Sequence, residues 1–177
     1  LVETEQWDKL FRVVTIKKGQ YTYGPQGTLH GSPYAPTEEE KDMVELGFET
    51  NSDITYRLYD WGRNMPDRPL HVEKVIETVN IPDDQNMGVD IVEKDIDGCK
   101  VAYFIDKPGI FTAFRIRVDE NGTFERKEFM FLFCIDGEAE INGTVIKKGE
   151  TIFIPCNYGT LTIKGKAEFG GMTYRNL

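Results

Sequence analysis

The sequence predicts an all-β protein built as a sandwich or barrel, and three features carry that prediction. Past Pro82 the chain breaks into short apolar segments at even spacing: VAYFI, IFTAFRIRV, KEFMFLFCI, EAEI, TVI, TIFIP and TLTIKG. Turn signals separate them, and Asn121-Gly122 and Asn142-Gly143 are the dipeptides favoured in two-residue hairpins. Nothing with a helical period interrupts the series, which argues against the strand–helix alternation of a parallel sheet. The third feature is an internal repeat. IKKGQYTYGPQGTLH at 16–30 matches IKKGETIFIPCNYGTLT at 146–162, with the same opening tetrapeptide and the same glycine-to-proline spacing.

In chain order, a short polar start leads into LFRVVTI at 10–16, which reads as a strand. Lys17, Lys18 and Gly19 turn the chain into Gln20–Tyr23, a second strand, which leaves through a Pro-x-Gly bend at 25–27. A further strand then carries His30 inward. A histidine there is either a satisfied core or surface residue or a metal ligand. The segment after it, GSPYAPTEEEKD, reads as an exposed acidic insertion in which Thr37 and Glu40 cap one helical turn. Glu38, Glu39 and Glu40 are read as a solvated loop rather than a metal or partner site.

Val44, Leu46 and Phe48 alternate as a strand does, and so do Ile54, Tyr56 and Leu58. The second alternation puts Arg57 opposite the apolar row, toward solvent or a polar cavity. Arg57 is also within reach of a strand-end ion pair with Asp53 or Asp60. Val72, Val75, Ile76 and Val79 follow i, i+3, i+4, i+7, the pattern of one short amphipathic helix. His71 at its entry reads as a capping or packing residue rather than a ligand. The helix lies between two β domains, 1–80 and 81–177, with the boundary near IPDDQNMG.

The 177 residues suffice for one ordinary domain or two small ones, and 40% hydrophobic and 12% aromatic content fits a globular chain. A net charge of −9 argues against nucleic acid or an anionic membrane as partner, while leaving room for a local basic site that takes an anion. No apolar run approaches the roughly 20 residues of a membrane-spanning helix, and the first residues lack a signal-peptide layout. The expectation is therefore a cytoplasmic protein. Cys99, Cys134 and Cys156 form no Cys-x-x-Cys unit and read as buried free thiols.

The skeleton of residues 19–30 is Gly, five residues, Pro, one residue, Gly, two residues, His. It resembles the second cupin motif, whose histidine binds metal inside a small jelly-roll barrel. GTLH at 27–30, NSDITYRLYDWGR at 51–63 and RPLHVEKVIETV at 68–79 together resemble type I mannose-6-phosphate isomerase of the short bacterial kind. The resemblance implies a zinc-dependent exchange of mannose 6-phosphate and fructose 6-phosphate in a cupin barrel followed by a second, smaller cupin-like domain. It makes His30 a zinc ligand and Arg57 the active-site arginine, serving an enediol proton transfer on a hexose 6-phosphate. The second copy of the repeat places Thr162 where the first has His30, so the second barrel reads as structural.

The family's other zinc ligands, a glutamine and histidine followed by a glutamate, have no counterpart here, and the chain has only two histidines. Catalytic zinc takes three protein ligands. The chain is accordingly expected to be the C-terminal portion of such an isomerase, completed by an N-terminal segment or subunit. The alternative is a non-catalytic cupin used for sugar binding or assembly.

Overall fold

In the computed structural model the described residues are 4, 6–31, 44–52, 54–63, 65–84, 89–107 and 109–174. They form two compact units, one of residues 1–45 with 51–89, the other of 46–50 with 90–177. Two expectations, the capped turn at Thr37–Glu40 and the roles of Glu38 and Glu39, lie outside the described residues.

The second unit holds the sheet. Its strands are β3 (Lys94–Ile96), β4 (Cys99–Lys107), β5 (Phe111–Val118), β6 (Asn121–Phe124), β7 (Met130–Ile141), β8 (Thr144–Lys147), β9 (Thr151–Ile154) and β10 (Leu161–Thr173). The antiparallel order is β3-β4-β5-β10-β7-β8, with β6 also on β10 and β9 also on β7. β10 is the organising strand, since it pairs with β5, β6 and β7. Alternate residues of these strands turn to one side, and Phe114, Ile116, Met130, Leu132, Ile163 and Phe169 are fully buried in a single apolar cluster. That interior is filled by side chains. Thr162, the counterpart of His30 in the repeat, is exposed on β10.

Two strand expectations changed. Asn121-Gly122 is not a hairpin: β5 and β6 run along β10 in the same direction, with Val118 opposite Ala167 and Asn121 opposite Lys164. The glycine answers a close approach instead, because a Cβ there would stand 2.5 Å from Cys99 Sγ. The turn chemistry lies at Asp97-Gly98, which joins β3 to β4 with both residues at positive φ, as at Asn142-Gly143 between β7 and β8. β10 also runs eight residues beyond TLTIKG. Gly170 and Gly171 hide that tail from a pattern reading, although both are in register with β5 and β7.

The first unit is mostly irregular. It contains α1 (Trp7–Leu10), β1 (Gln20–Tyr21) and α2 (Val72–Thr78) and ends at Val89, the first residue of β2 (Val89–Asp90), the strand that pairs with β1. The expected strands at 10–16, 28–30, 44–48 and 54–59 do not form, because no described strand offers them a ladder. The alternation of Leu46 and Phe48 has another origin: both lie over Gly170 of β10, where a Cβ would meet Leu46 Cδ2 at 2.5 Å. Helix α2 forms as expected, but Val75 alone of its apolar row is buried.

The repeat is real at atomic detail. Gln20 N–H donates to the Lys17 carbonyl at 3.0 Å, while Lys17 N–H donates to Gln20 Oε1 at 2.9 Å. Glu150 and Lys147 repeat both bonds, at 2.9 and 2.8 Å. Gly19 and Gly149 sit at φ +87° and +88°, a region closed to most side chains.

Cys99 and Cys134 are buried as expected, and burial pushes the Cys99 thiol up to about 11; Cys156, in contrast, is exposed. A thiol-reactive chromophore should therefore titrate one cysteine in the native chain and three in denaturant. Gly171→Ala should lower stability by about 1–3 kcal/mol in urea unfolding, the usual range for overpacking. Its Cβ would stand 2.2 Å from the ring of Phe114, which is fully buried and has nowhere to go.

Candidate functional site

His30 is exposed rather than inward, and its Nδ1 lies 2.9 Å from the Thr28 carbonyl. A carbonyl oxygen only accepts, so Nδ1 is the donor in this contact, and in the neutral ring the lone pair falls to Nε2. This is the tautomer an Nε2 metal ligand needs, with the ring fixed by a backbone acceptor. Among the described residues no group of three His, Cys, Asp or Glu is close enough to hold a metal ion. Among the described residues, then, His30 stands without a further pair of His, Cys, Asp or Glu to complete a metal site.

Arg57 is fastened through its backbone. Its N–H donates to His71 Nδ1 at 3.2 Å, and its carbonyl accepts from His71 N–H at 2.7 Å. His71 occupies the N-cap position of α2 without a side-chain cap, its ring being spent on Arg57 and set against Tyr56 at 6.0 Å. Of the two expected roles the structure shows packing and not side-chain capping, and the packing secures the Arg57 backbone.

The other end of α2 holds the histidine motif. Asn80 N–H donates to the Gly27 carbonyl at 2.9 Å, and Asn80 Nδ2 donates to the Gln26 carbonyl at 2.9 Å. Gly27 packs so closely there that a Cβ would stand 2.7 Å from the Thr78 carbonyl. The helix is thus a strut of about 10 Å, at 1.5 Å rise per residue, between the turn before His30 and the backbone of Arg57.

Asp60, which sequence reasoning treated only as one possible ion-pair partner of Arg57, is the hub of the region. It is buried, and three guanidiniums converge on it. Arg68 donates from Nη2 to Oδ1 at 3.0 Å and from Nε to Oδ2 at 3.2 Å. Arg63 donates from Nη2 to Oδ1 at 2.6 Å and from Nε to the Asp60 carbonyl at 3.2 Å. Arg57 stands further off, with Nε at 3.7 Å. A left-handed turn makes this possible: Trp61 and Gly62 lie at φ +53° and +68°, and Arg63 N–H donates to the Asp60 carbonyl at 3.1 Å. A tryptophan in that region carries backbone strain, which the ion pairs and the edge of Tyr59 at 5.5 Å offset. The signal in the sequence was the three arginines that surround Asp60 in RLYDWGRNMPDR, a stretch with only one other acid, Asp67.

The hydrogen bonds from Arg68, then the charges of Arg63, Arg68 and Arg57, hold the Asp60 carboxyl below its ordinary 3.8 against the opposing effect of burial. Asp53, the other carboxylate near Arg57, lies outside the described residues, and Glu49 is exposed.

Comparison with known proteins places these features in context. Residues 103–170 match the family model for the mannose-6-phosphate isomerase cupin domain. Over 176 residues the chain is 29% identical to mannose-6-phosphate isomerase ManA of Bacillus subtilis, covering 95% of this chain and 53% of that protein. It is 27% identical over 176 residues to the probable mannose-6-phosphate isomerase GmuF of the same organism, again covering 95% and 53%. Identity to the mannose-6-phosphate isomerase of Streptococcus mutans is 22% over 176 residues, covering 95% and 52%. The chain thus spans about half the length of the curated relatives it matches. The crystal structure of the Bacillus subtilis mannose 6-phosphate isomerase superposes with a TM-score of 0.60 at 23% identity, over 69% of this chain and 41% of that one. The fold is that of a cupin, as expected. No helix among the described residues is long and apolar enough to cross a membrane.

The lowered Asp60 pKa fixes the sign of a pH effect. The stabilisation it reports is complete above the unfolded value and is lost as the pH falls through the lower folded value. Denaturation midpoints followed by tryptophan emission should therefore drop more steeply in the parent than in Asp60→Asn as the pH is taken from about 5 to about 2. Parallel pH curves would remove the paired carboxylate from the account of the first unit's stability.

Proposed function

We propose that this chain, similar over 95% of its length to mannose-6-phosphate isomerases, contributes His30 and Arg57 to an isomerase site interconverting mannose 6-phosphate and fructose 6-phosphate. The observation that carries the proposal is the strut α2. It fixes the turn before His30 and the backbone of Arg57 to opposite ends of one short helix. In the second unit the corresponding position is a threonine, which has no imidazole to offer, over a filled apolar interior, and this supports placing the chemistry in the first.

In this reading His30 offers Nε2 to a zinc ion whose other ligands come from a segment or subunit outside this chain. Zinc, when bound, supplies Lewis-acid polarisation of a substrate oxygen. The chain's own contribution is cationic and geometric. Arg57 presents a planar guanidinium, 19% exposed, to the negative charge that develops on an enediolate oxygen or to the substrate phosphate. Its backbone is held at both N–H and carbonyl, so the donor is oriented before substrate arrives. The buried free thiols fit a reducing cytoplasm as the place of work.

Two variants test these roles in the protein together with whatever completes it. His30→Ala should lower zinc affinity by about 10- to 100-fold or more, read by competition with a chelating dye. Arg57→Ala should retain zinc and lose turnover of mannose 6-phosphate by about 100-fold or more. Native mass spectrometry of the purified protein reports the metal and the partner together. A metal-free species that neither acquires zinc nor turns over the sugar phosphate would mark a non-catalytic cupin and sink the isomerase reading.

A further inference from the structure

The region around Asp60 carries positive charge in a protein whose sequence totals −9. Arg57, Arg63 and Arg68 face Asp60, and Asp67 acts on Arg68, so three positive groups meet two negative ones. Their geometry is unequal. Arg63 and Arg68 are bound to the carboxylate by short hydrogen bonds, while Arg57 is held beyond hydrogen-bonding distance. Arg63 and Arg68 nevertheless remain 43% and 36% exposed, so a solute reaches them without displacing the buried acid. The strained turn at Trp61 brings Arg63 back onto the carboxylate. A surface ion pair of ordinary worth does not by itself call for a tryptophan at positive φ.

We propose that Asp60 is the positioning residue of this arginine cluster. Its buried carboxylate gathers three guanidiniums that would otherwise repel one another, and so prepares them for an external tetrahedral oxyanion. Arg57, the least tightly held to Asp60 of the three, keeps an Nη1 bond to the Pro69 carbonyl at 3.4 Å and is the one that turns its remaining N–H donors to the incoming anion. Arg63 and Arg68 stay on Asp60 and supply the surrounding positive field. The assignment deepens the isomerase reading, on which the role of Arg57 in turnover rests, but binding of the oxyanion is a property of the cluster alone. No covalent step is involved; the carboxylate remains ionised and acts only through the arginines it holds.

The discriminating variant is Asp60→Glu, which keeps the charge and both acceptor oxygens and moves them by one methylene. Inorganic phosphate is the probe, titrated calorimetrically at neutral pH and low salt into the full chain with whatever completes it. The parent should bind phosphate, and Arg57→Gln should weaken that binding. Asp60→Glu should weaken it by about tenfold or more while tryptophan emission stays that of the folded parent, since sub-ångström placement is what the carboxylate provides. Asp60→Asn should weaken it as well, although that change adds a positive charge. If Asp60 were only a counter-ion, Asp60→Glu would bind phosphate like the parent and Asp60→Asn would bind it more tightly; either result overturns the inference. So does a parent that does not bind phosphate. Should Asp60→Asn unfold, Asp60→Glu and Arg57→Gln decide the matter alone. Phosphate binding without zinc or turnover would leave the positioning role standing and remove the isomerase reading, so the two failures are separable.

Discussion

Two hydrogen bonds between Arg57 and His71 hold the first unit's backbone around Arg57, because the unit has little regular ladder to do so. Each of its extended stretches must satisfy backbone polar groups without a neighbouring strand. At Arg57 both groups are met by one residue, which uses its backbone N–H and its ring nitrogen. That residue opens α2, and the far end of α2 is bonded to the turn before His30. A seven-residue helix is too short to be stable by propensity. Here it is fixed from both ends by contacts outside itself, and one buried valine suffices to seat it.

The electrostatics of the region oppose those of the whole chain. A surface of net negative charge repels an anionic sugar at long range, yet salt screens such repulsion within about 8–10 Å. Within that distance a cluster of guanidiniums acts on what is near it, and beyond it on little else. The structure concentrates that local effect by burying one acid and turning three arginines onto it. The cluster's excess charge is small, so its value to an anion lies in the placing of the donors more than in the strength of the field.

The second unit was largely legible in the sequence, because its strands are half-buried and alternate, and alternation is what the eye can count. The misreadings there were glycines. Gly122 stood for a turn and is a point of contact with Cys99, while the strand read as TLTIKG runs on through Gly170 and Gly171, which form part of its packing surface. In the first unit the repeat located the Gly19 turn to the residue, since a left-handed glycine and its hydrogen-bonding follower are local features. The inward histidine strand was not legible. Strand formation depends on partners distant in sequence, and His30 is exposed on an irregular segment instead. The tie between Arg57 and Asp60 was foreseen as one of two alternatives. That Asp60 gathers Arg63 and Arg68 as well depends on the left-handed turn, of which Gly62 gives a hint and Trp61, at φ +53°, gives none.

The aromatic residues around that turn have a separate consequence. Trp7 lies 4.6 Å from Tyr59, Tyr59 lies 5.5 Å from Trp61, and these are the chain's only two tryptophans. Both belong to the first unit, whereas the sheet of the second is built around phenylalanine. Light absorbed at the red edge of the protein spectrum is therefore emitted by one unit only. Nature has left the chain with a built-in optical partition, in which one wavelength watches the arginine cluster while the sheet stays dark.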